Sequence, residues 1–174
     1  MSEKDRVSVD DPNGRESSGD DAGTVRMIDV SMKTPTVRTA TATGRLHMAP
    51  EVLQRIRDGR LEKGDAFGPA RIAAIMAAKK TPDILPLCHP LRLSGVDVDL
   101  ACEGDDTVQI RVTVRGEDRT GVEMEALTAV TVAGLTVYDV CKIHGQNMRL
   151  TDVCLETKTG GKSGDYRRSD ATSG

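Results

Sequence analysis

A thiol and an imidazole stand side by side in an otherwise apolar run, Ile84-Leu85-Pro86-Leu87-Cys88-His89-Pro90-Leu91. Pro86 and Pro90 bracket the pair and fix the backbone where they sit, so the segment reads as a stiff loop that cannot be helix. Such a loop can hold His89 in one orientation against a ligand. It also fits a buried turn whose imidazole bonds a backbone carbonyl. A thiol hydrolase built on Cys88 and His89 is disfavoured, because sequence neighbours in extended chain point to opposite sides. Two acids form the next group. Thr120-x-x-Glu123 is a capping box, and acids at a helix N-terminus offset the dipole. That accounts for Glu123 but not for Glu125, which lies about 200° away around a helix. Both carboxylates could instead accept the amino and ring N–H groups of a guanine-like or pterin-like ring.

Asp139 and Lys142 stand at i and i+3, on one face near the end of the longest helical pattern. A surface ion pair is the plain reading. Their neighbours Val137, Val140 and Cys141 are apolar, however, and burial would lower a lysine pKa toward a value useful for proton transfer. Lys158-Thr159-Gly160-Gly161-Lys162-Ser163-Gly164 has Glu156 where a Walker loop needs its first Gly, and the chain ends soon afterwards, so that motif is rejected. A Gly-rich loop with two lysines can still cradle phosphate; it is equally a flexible tail. In isolation Lys63 and Arg38 are ordinary surface cations.

The elements that must position these residues follow from patterning. Residues 36–46 alternate as a strand, with Val37, Thr39, Thr41 and Thr43 on one side. Pro50 opens a short helix over 51–57 that Asp58-Gly59 ends. Asp65 is placed to cap a second helix over 66–79, stopped by Thr81-Pro82. Residues 95–102 and 108–114 alternate around Gly104-Asp105-Asp106 as a hairpin with one wet face. A long apolar helix from about 123 to 144 and a strand over 148–155 complete the pattern. Setting one helix aside, the order is β-α-β-β-α-β, an α+β ferredoxin-like sandwich with helices on one face of an antiparallel sheet.

Bulk properties narrow the class. The chain has 174 residues, one Phe, two Tyr and no Trp, so the core is aliphatic and thin, and an oligomer interface would help bury it. Residues 1–25 carry seven acids and three bases, a net of −4 that leaves the remainder of a −3 chain near +1. That tail reads as disordered, with one domain over 26–166 and frayed residues over 167–174. A near-neutral body gives no support for nucleic-acid binding. Four Cys without a C-x-x-C pair argue against zinc ribbons and disulfide frameworks, and no run suits a signal peptide or membrane span. A cytoplasmic location is the expectation.

With the Cys88-His89-Pro90 loop, Gly121-Val122-Glu123-Met124-Glu125-Ala126-Leu127-Thr128, Tyr138-Asp139-Val140-Cys141-Lys142 and Gly160-Gly161-Lys162-Ser163-Gly164 in view, the chain resembles the cyclic pyranopterin monophosphate synthases of molybdenum cofactor biosynthesis, from about Met27 to Tyr166. The resemblance implies a lyase acting on 3′,8-cyclo-7,8-dihydro-GTP, supplied by a radical SAM GTP cyclase, with release of pyrophosphate. It implies a homohexamer, a trimer of dimers, with interfacial sites. No cofactor or metal is required, and Mg²⁺ on the triphosphate is left open. Carried over by position, Lys63 and Lys142 are the acid–base lysines and Asp139 their acidic partner. Leu87, Cys88, His89, Met124 and Glu125 contact substrate with Glu123 beside them, and Arg38, His89, Lys158 and Lys162 meet the triphosphate. A non-catalytic nucleotide-binding protein of the same pathway is the alternative.

Overall fold

The computed structural model describes residues 25–162 and 164–169. Of the tail expected to be disordered over 1–25 and the fraying expected over 167–174, residues 1–24 and 170–174 lie outside those residues, whereas Arg167 pairs with Thr157 in the sheet. The elements run β1 (Thr36–His47), α1 (Pro50–Arg57), α2 (Phe67–Ile84), β2 (Leu93–Glu103), β3 (Thr107–Asp118), α3 (Glu123–Cys141), β4 (Arg149–Thr159) and β5 (Tyr166–Arg167). Every pairing is antiparallel and the sheet order is β2-β3-β1-β4-β5. This is the ferredoxin-like order with one short strand added at the edge.

Alternation explains the layers. On β1 the residues Ala40, Ala42 and Leu46 are fully buried, as are Val108, Ile110, Val112 and Val114 on β3. The intervening threonines and arginines form the wet face. α3 lies on the buried face, and it approaches β1 closely because Gly44 lacks a Cβ, which would sit 2.7 Å from Val130 Cγ1. α2 packs against α3 through Ala70, Ala74, Ala77 and Ala78, small residues that let the helix backbones come near. α3 is long and apolar enough to cross a membrane by length and composition, but it is the core helix here. Its buried residues Ala126, Ala129, Val130, Ala133 and Val137 all face protein.

Local punctuation departs from the sequence pattern at four places. Pro82 does not stop α2, which continues to Ile84. A proline there removes one N–H near the end, and Leu85 N–H still reaches Thr81 O at 2.9 Å. Asp65 does take the first N–H groups of α2, from Phe67 and Gly68 at 2.8 Å each, although the helix proper begins one residue later than expected. α3 ends at Cys141, before His144. β4 runs past Leu155 to Thr159, through register shifts opposite β1 and a left-handed Asp152 (φ 53°). The register shift at Glu156 hid the last residues of this strand, because it breaks the two-residue period that marks a strand in sequence. Tyr166 and Arg167 pair with Lys158 and Thr157, and Arg168 N–H bonds Glu156 O at 2.7 Å.

Candidate functional site

α3 carries a cluster at each end. At its C-terminal end Asp139 Oδ1 meets Lys142 Nζ at 2.7 Å, and Asp139 Oδ2 meets Lys63 Nζ at 2.7 Å. Lys63 Nζ also reaches the Asp139 carbonyl at 3.1 Å. Lys63 comes from the α1–α2 connector, 76 positions away in sequence. One carboxylate thus aims two ammonium groups at the same space. The apolar neighbours of Asp139 point inward, but the ion pair itself is half exposed. Burial therefore does not depress Lys142. Its hydrogen bond to Asp139 raises it instead, and the same bond followed by that of Lys63 holds Asp139 at about 2.

At the N-terminal end of α3 a cavity of about 310 Å³ lies between the 87–91 loop and the 120–125 turn. Leu87, Cys88 and His89 form one wall, and Glu123, Met124 and Glu125 the other. The expected capping box does not form: α3 begins at Glu123 with no side-chain cap. Glu123 instead binds Lys158 Nζ at 3.0 Å. Lys158 faces it because β4 pairs Lys158 with Ala40, whose side chain points to the helical face of the sheet. A Cβ at Gly121 would overlap the Glu123 carboxylate, so a side chain there would push that carboxylate off its place beside Lys158.

Glu125 is 3 % exposed and its Oε2 has no partner among the described residues. Burial pushes this carboxyl up to about 7, with a smaller upward contribution from Glu123 and an opposing one from a backbone hydrogen bond. A buried acid with one unpartnered oxygen beside a cavity is a receptor for an N–H donor. The raised pKa also carries a stability prediction. A carboxyl raised in the fold binds more protons there than when unfolded, so stability falls as pH rises from about 4.5 through 7. Glu125→Gln should remove that loss. The variant should match wild type in the free energy of urea unfolding near pH 4.5 and exceed it at pH 8 by an amount of order 3 kcal/mol.

The Cys88 thiol is also raised, by burial and then by the Glu125 charge. His89 Nε2 bonds Ile28 O at 2.8 Å. These features disfavour a thiolate nucleophile paired with His89. Arg38 lies beside the Gly-rich turn: Nη1 donates to Gly160 O at 3.3 Å, Nη2 donates to Arg119 O at 3.4 Å, and Nε is buried without a partner. Gly160 and Gly161 adopt φ of 88° and 86°, and a Cβ on Gly161 would overlap Arg38 Nη1. Lys162 is exposed on that turn and bonds none of the other candidates among the described residues. A larger hollow of about 550 Å³ crosses α1 and the β2–β3 turn. There Arg57 is bonded to Gly104 O and Arg60 to Asp58, and Glu51 and Asp105 offset the remaining charge.

The structure therefore brings Lys63, Asp139 and Lys142 together, and Leu87, Cys88, His89, Glu123, Met124, Glu125 and Lys158 together, with Arg38 near the second group. The two groups do not meet within one chain. Glu125 and Asp139 are fourteen residues apart on α3, about 21 Å at 1.5 Å per residue. Sequence reasoning missed Thr120 and Gly121 in the cavity wall, signalled only by a glycine before a helix.

An α+β ferredoxin-like subunit with a buried acid facing a cavity at one end of its core helix and an acid-held lysine pair at the other has the makings of a small-molecule enzyme. The family model for the MoaC family matches residues 27–161. The chain belongs to the MoaC family. A cyclic pyranopterin monophosphate synthase of Streptomyces coelicolor is 56% identical over 171 residues, 97% of this chain and all of the relative. One from Brevibacillus brevis is 53% identical, covering 83% of this chain and 91% of the relative. Cyclic pyranopterin monophosphate synthase 3 of Mycobacterium bovis is 50% identical, covering 94% and 92%. The chain is thus an enzyme of molybdenum cofactor biosynthesis.

Proposed function

We propose that this chain converts (8S)-3′,8-cyclo-7,8-dihydroguanosine 5′-triphosphate to cyclic pyranopterin monophosphate with release of pyrophosphate. The observation that carries this is Asp139 gripping Lys63 and Lys142, in a family whose relatives bear the synthase name. Forming a cyclic monophosphate from a triphosphate requires a sugar hydroxyl to attack the α-phosphorus while pyrophosphate leaves. That leaving group needs cations positioned in advance, and Arg38, His89, Lys158 and Lys162 are the candidates. Glu125 and Glu123 would take the N–H donors of the ring, with Leu87, Cys88 and Met124 against its faces. Lys63 and Lys142, both paired with Asp139, would supply the acid–base groups.

A ring held by Glu125 cannot also lie within the ~3–3.5 Å reach of Lys142 that reaction demands, since the two are about a core-helix length apart. That separation supports a site assembled from two subunits, within a homohexamer built as a trimer of dimers. The substrate would come from a radical SAM GTP cyclase, in the cytoplasm. The reaction needs no resident cofactor, and Mg²⁺ would act only on the triphosphate. The test is pyrophosphate release from enzymatically prepared substrate. Turnover by wild type supports the synthase. Binding of the triphosphate without release would favour a non-catalytic binding protein of the same pathway.

A further inference from the structure

The two walls of the cavity at the N-terminal end of α3 come from separate segments, 87–91 and 120–125. The ladder between β2 and β3 brings these segments together but stops short of both, at the Leu93–Gly116 pair. Just beyond it Arg92 O accepts the Glu117 N–H at 3.3 Å, and a Cβ on Gly116 would stand 2.7 Å from that oxygen. Asp118 then continues the connection through its side chain. Its Oδ2 accepts the Arg92 N–H at 3.1 Å, and its Oδ1 accepts the Arg119 N–H at 2.8 Å. Arg92 follows Leu91 of one wall, and Arg119 precedes Thr120 of the other. The Arg92 guanidinium also approaches this carboxylate, at 3.8 Å, but its side chain is 75% exposed, so water screens the pair. Among the described residues no other hydrogen bond or ion pair joins 87–92 to 118–125. Burial works against the Asp118 charge, but the N–H groups of Arg119 and Arg92 outweigh it and hold the carboxyl below its usual range.

We propose that Asp118 is a positioning residue of this cavity, whose single carboxylate sets the spacing of the two walls and so how firmly a ring is held between them. Asp118 does not itself line the cavity and acts through its neighbours. A carboxylate suits the task because each oxygen takes one N–H. An amide in its place keeps one acceptor and turns a donor toward the other N–H. Without the tie, a ligand must order the two segments as it binds, and that ordering weakens affinity. The inference rests on reading the cavity between the 87–91 loop and the 120–125 turn as the substrate's.

Cys88, on one wall, reports the spacing in the full chain without any ligand. In Asp118→Ala its alkylation by iodoacetamide, followed by peptide mass spectrometry, should quicken about fivefold as the wall opens. Cys141, fully buried in the core, should react no faster than in wild type. GTP, a probe that carries the ring N–H groups, should bind Asp118→Ala about tenfold more weakly. With the cyclo-dihydro-GTP, KM should rise by a similar factor and kcat fall less, the split expected when binding outside the chemical step is lost. Asp118→Asn, which keeps one acceptor, should lie between wild type and Asp118→Ala on every readout. Cys88 reactivity that rises only together with that of Cys141 would mean general loosening, and that result overturns the proposal. So does a GTP affinity unchanged in Asp118→Ala. Neither result touches the synthase reading, which stands or falls on turnover of the cyclo-dihydro-GTP by wild type.

Discussion

Lys142→Ala should lower pyrophosphate release by about 10²-fold or more, the lower end for loss of a positioned acid–base group. Its thermal melt should stay close to that of wild type. The expectation rests on where the side chain sits. Lys142 Nζ is 2.7 Å from Asp139 and more than half exposed, so the core does not depend on it. Half-exposed ion pairs contribute little to folding because water already solvates both charges. The geometry therefore serves something other than stability. Asp139, held at about 2 by Lys142 and then Lys63, stays ionised across any pH at which the fold is assayed. It cannot itself trade protons there, and its part is to orient the two lysines. Asp139→Asn should accordingly lose activity without moving the melt, since the amide keeps one acceptor oxygen but no charge. A Lys142→Ala enzyme that retains full turnover would remove the lysine from the chemistry and shift attention to Lys63 alone.

How much of this was legible in sequence follows from which interactions are local. The strands β1, β2 and β3 showed their alternation because each has one buried and one wet face, and the ladder order then followed from the ferredoxin-like pattern. The Asp139–Lys142 pair was legible for the same reason, since i and i+3 must share a helix face. Its exposure was not: apolar neighbours suggested a buried pair, but Val137, Val140 and Cys141 turn inward while the ion pair turns out. Lys63 looked ordinary because its partner lies 76 positions away, and no local pattern reports such a contact. The capping box misled for a related reason. Thr120 and Glu123 have the right spacing, but a lysine on β4 competes for the Glu123 carboxylate and an ion pair at 3.0 Å prevails. That lysine was itself misplaced, in a loop instead of a strand, because the strand was read only to Leu155 and a register shift at Glu156 interrupts the period just beyond it. Glu125 was legible as an acid that capping does not explain, and its burial supplies the reason.

An equal mixture of Lys142→Ala and His89→Ala chains, each nearly inactive alone, should regain about a quarter of wild-type activity once subunits exchange across a two-fold interface. The fraction follows from the distance along α3. If one subunit supplies the His89–Glu125 end and its neighbour supplies the Lys63–Asp139–Lys142 end, every site draws one half from each chain. Random pairing then gives one site in about four with both halves intact. If all the groups acted from one chain, each mixed assembly would still hold only damaged sites, and mixing would restore nothing. Exchange must be shown independently, for example by mass spectrometry of isotopically labelled and unlabelled chains. No recovery after proven exchange would sink the shared site, and with it the assignment of both α3 ends to one reaction. Recovery near a quarter would tie them together, and would explain why a near-neutral body can serve a polyanion: the cations that meet it come from two chains.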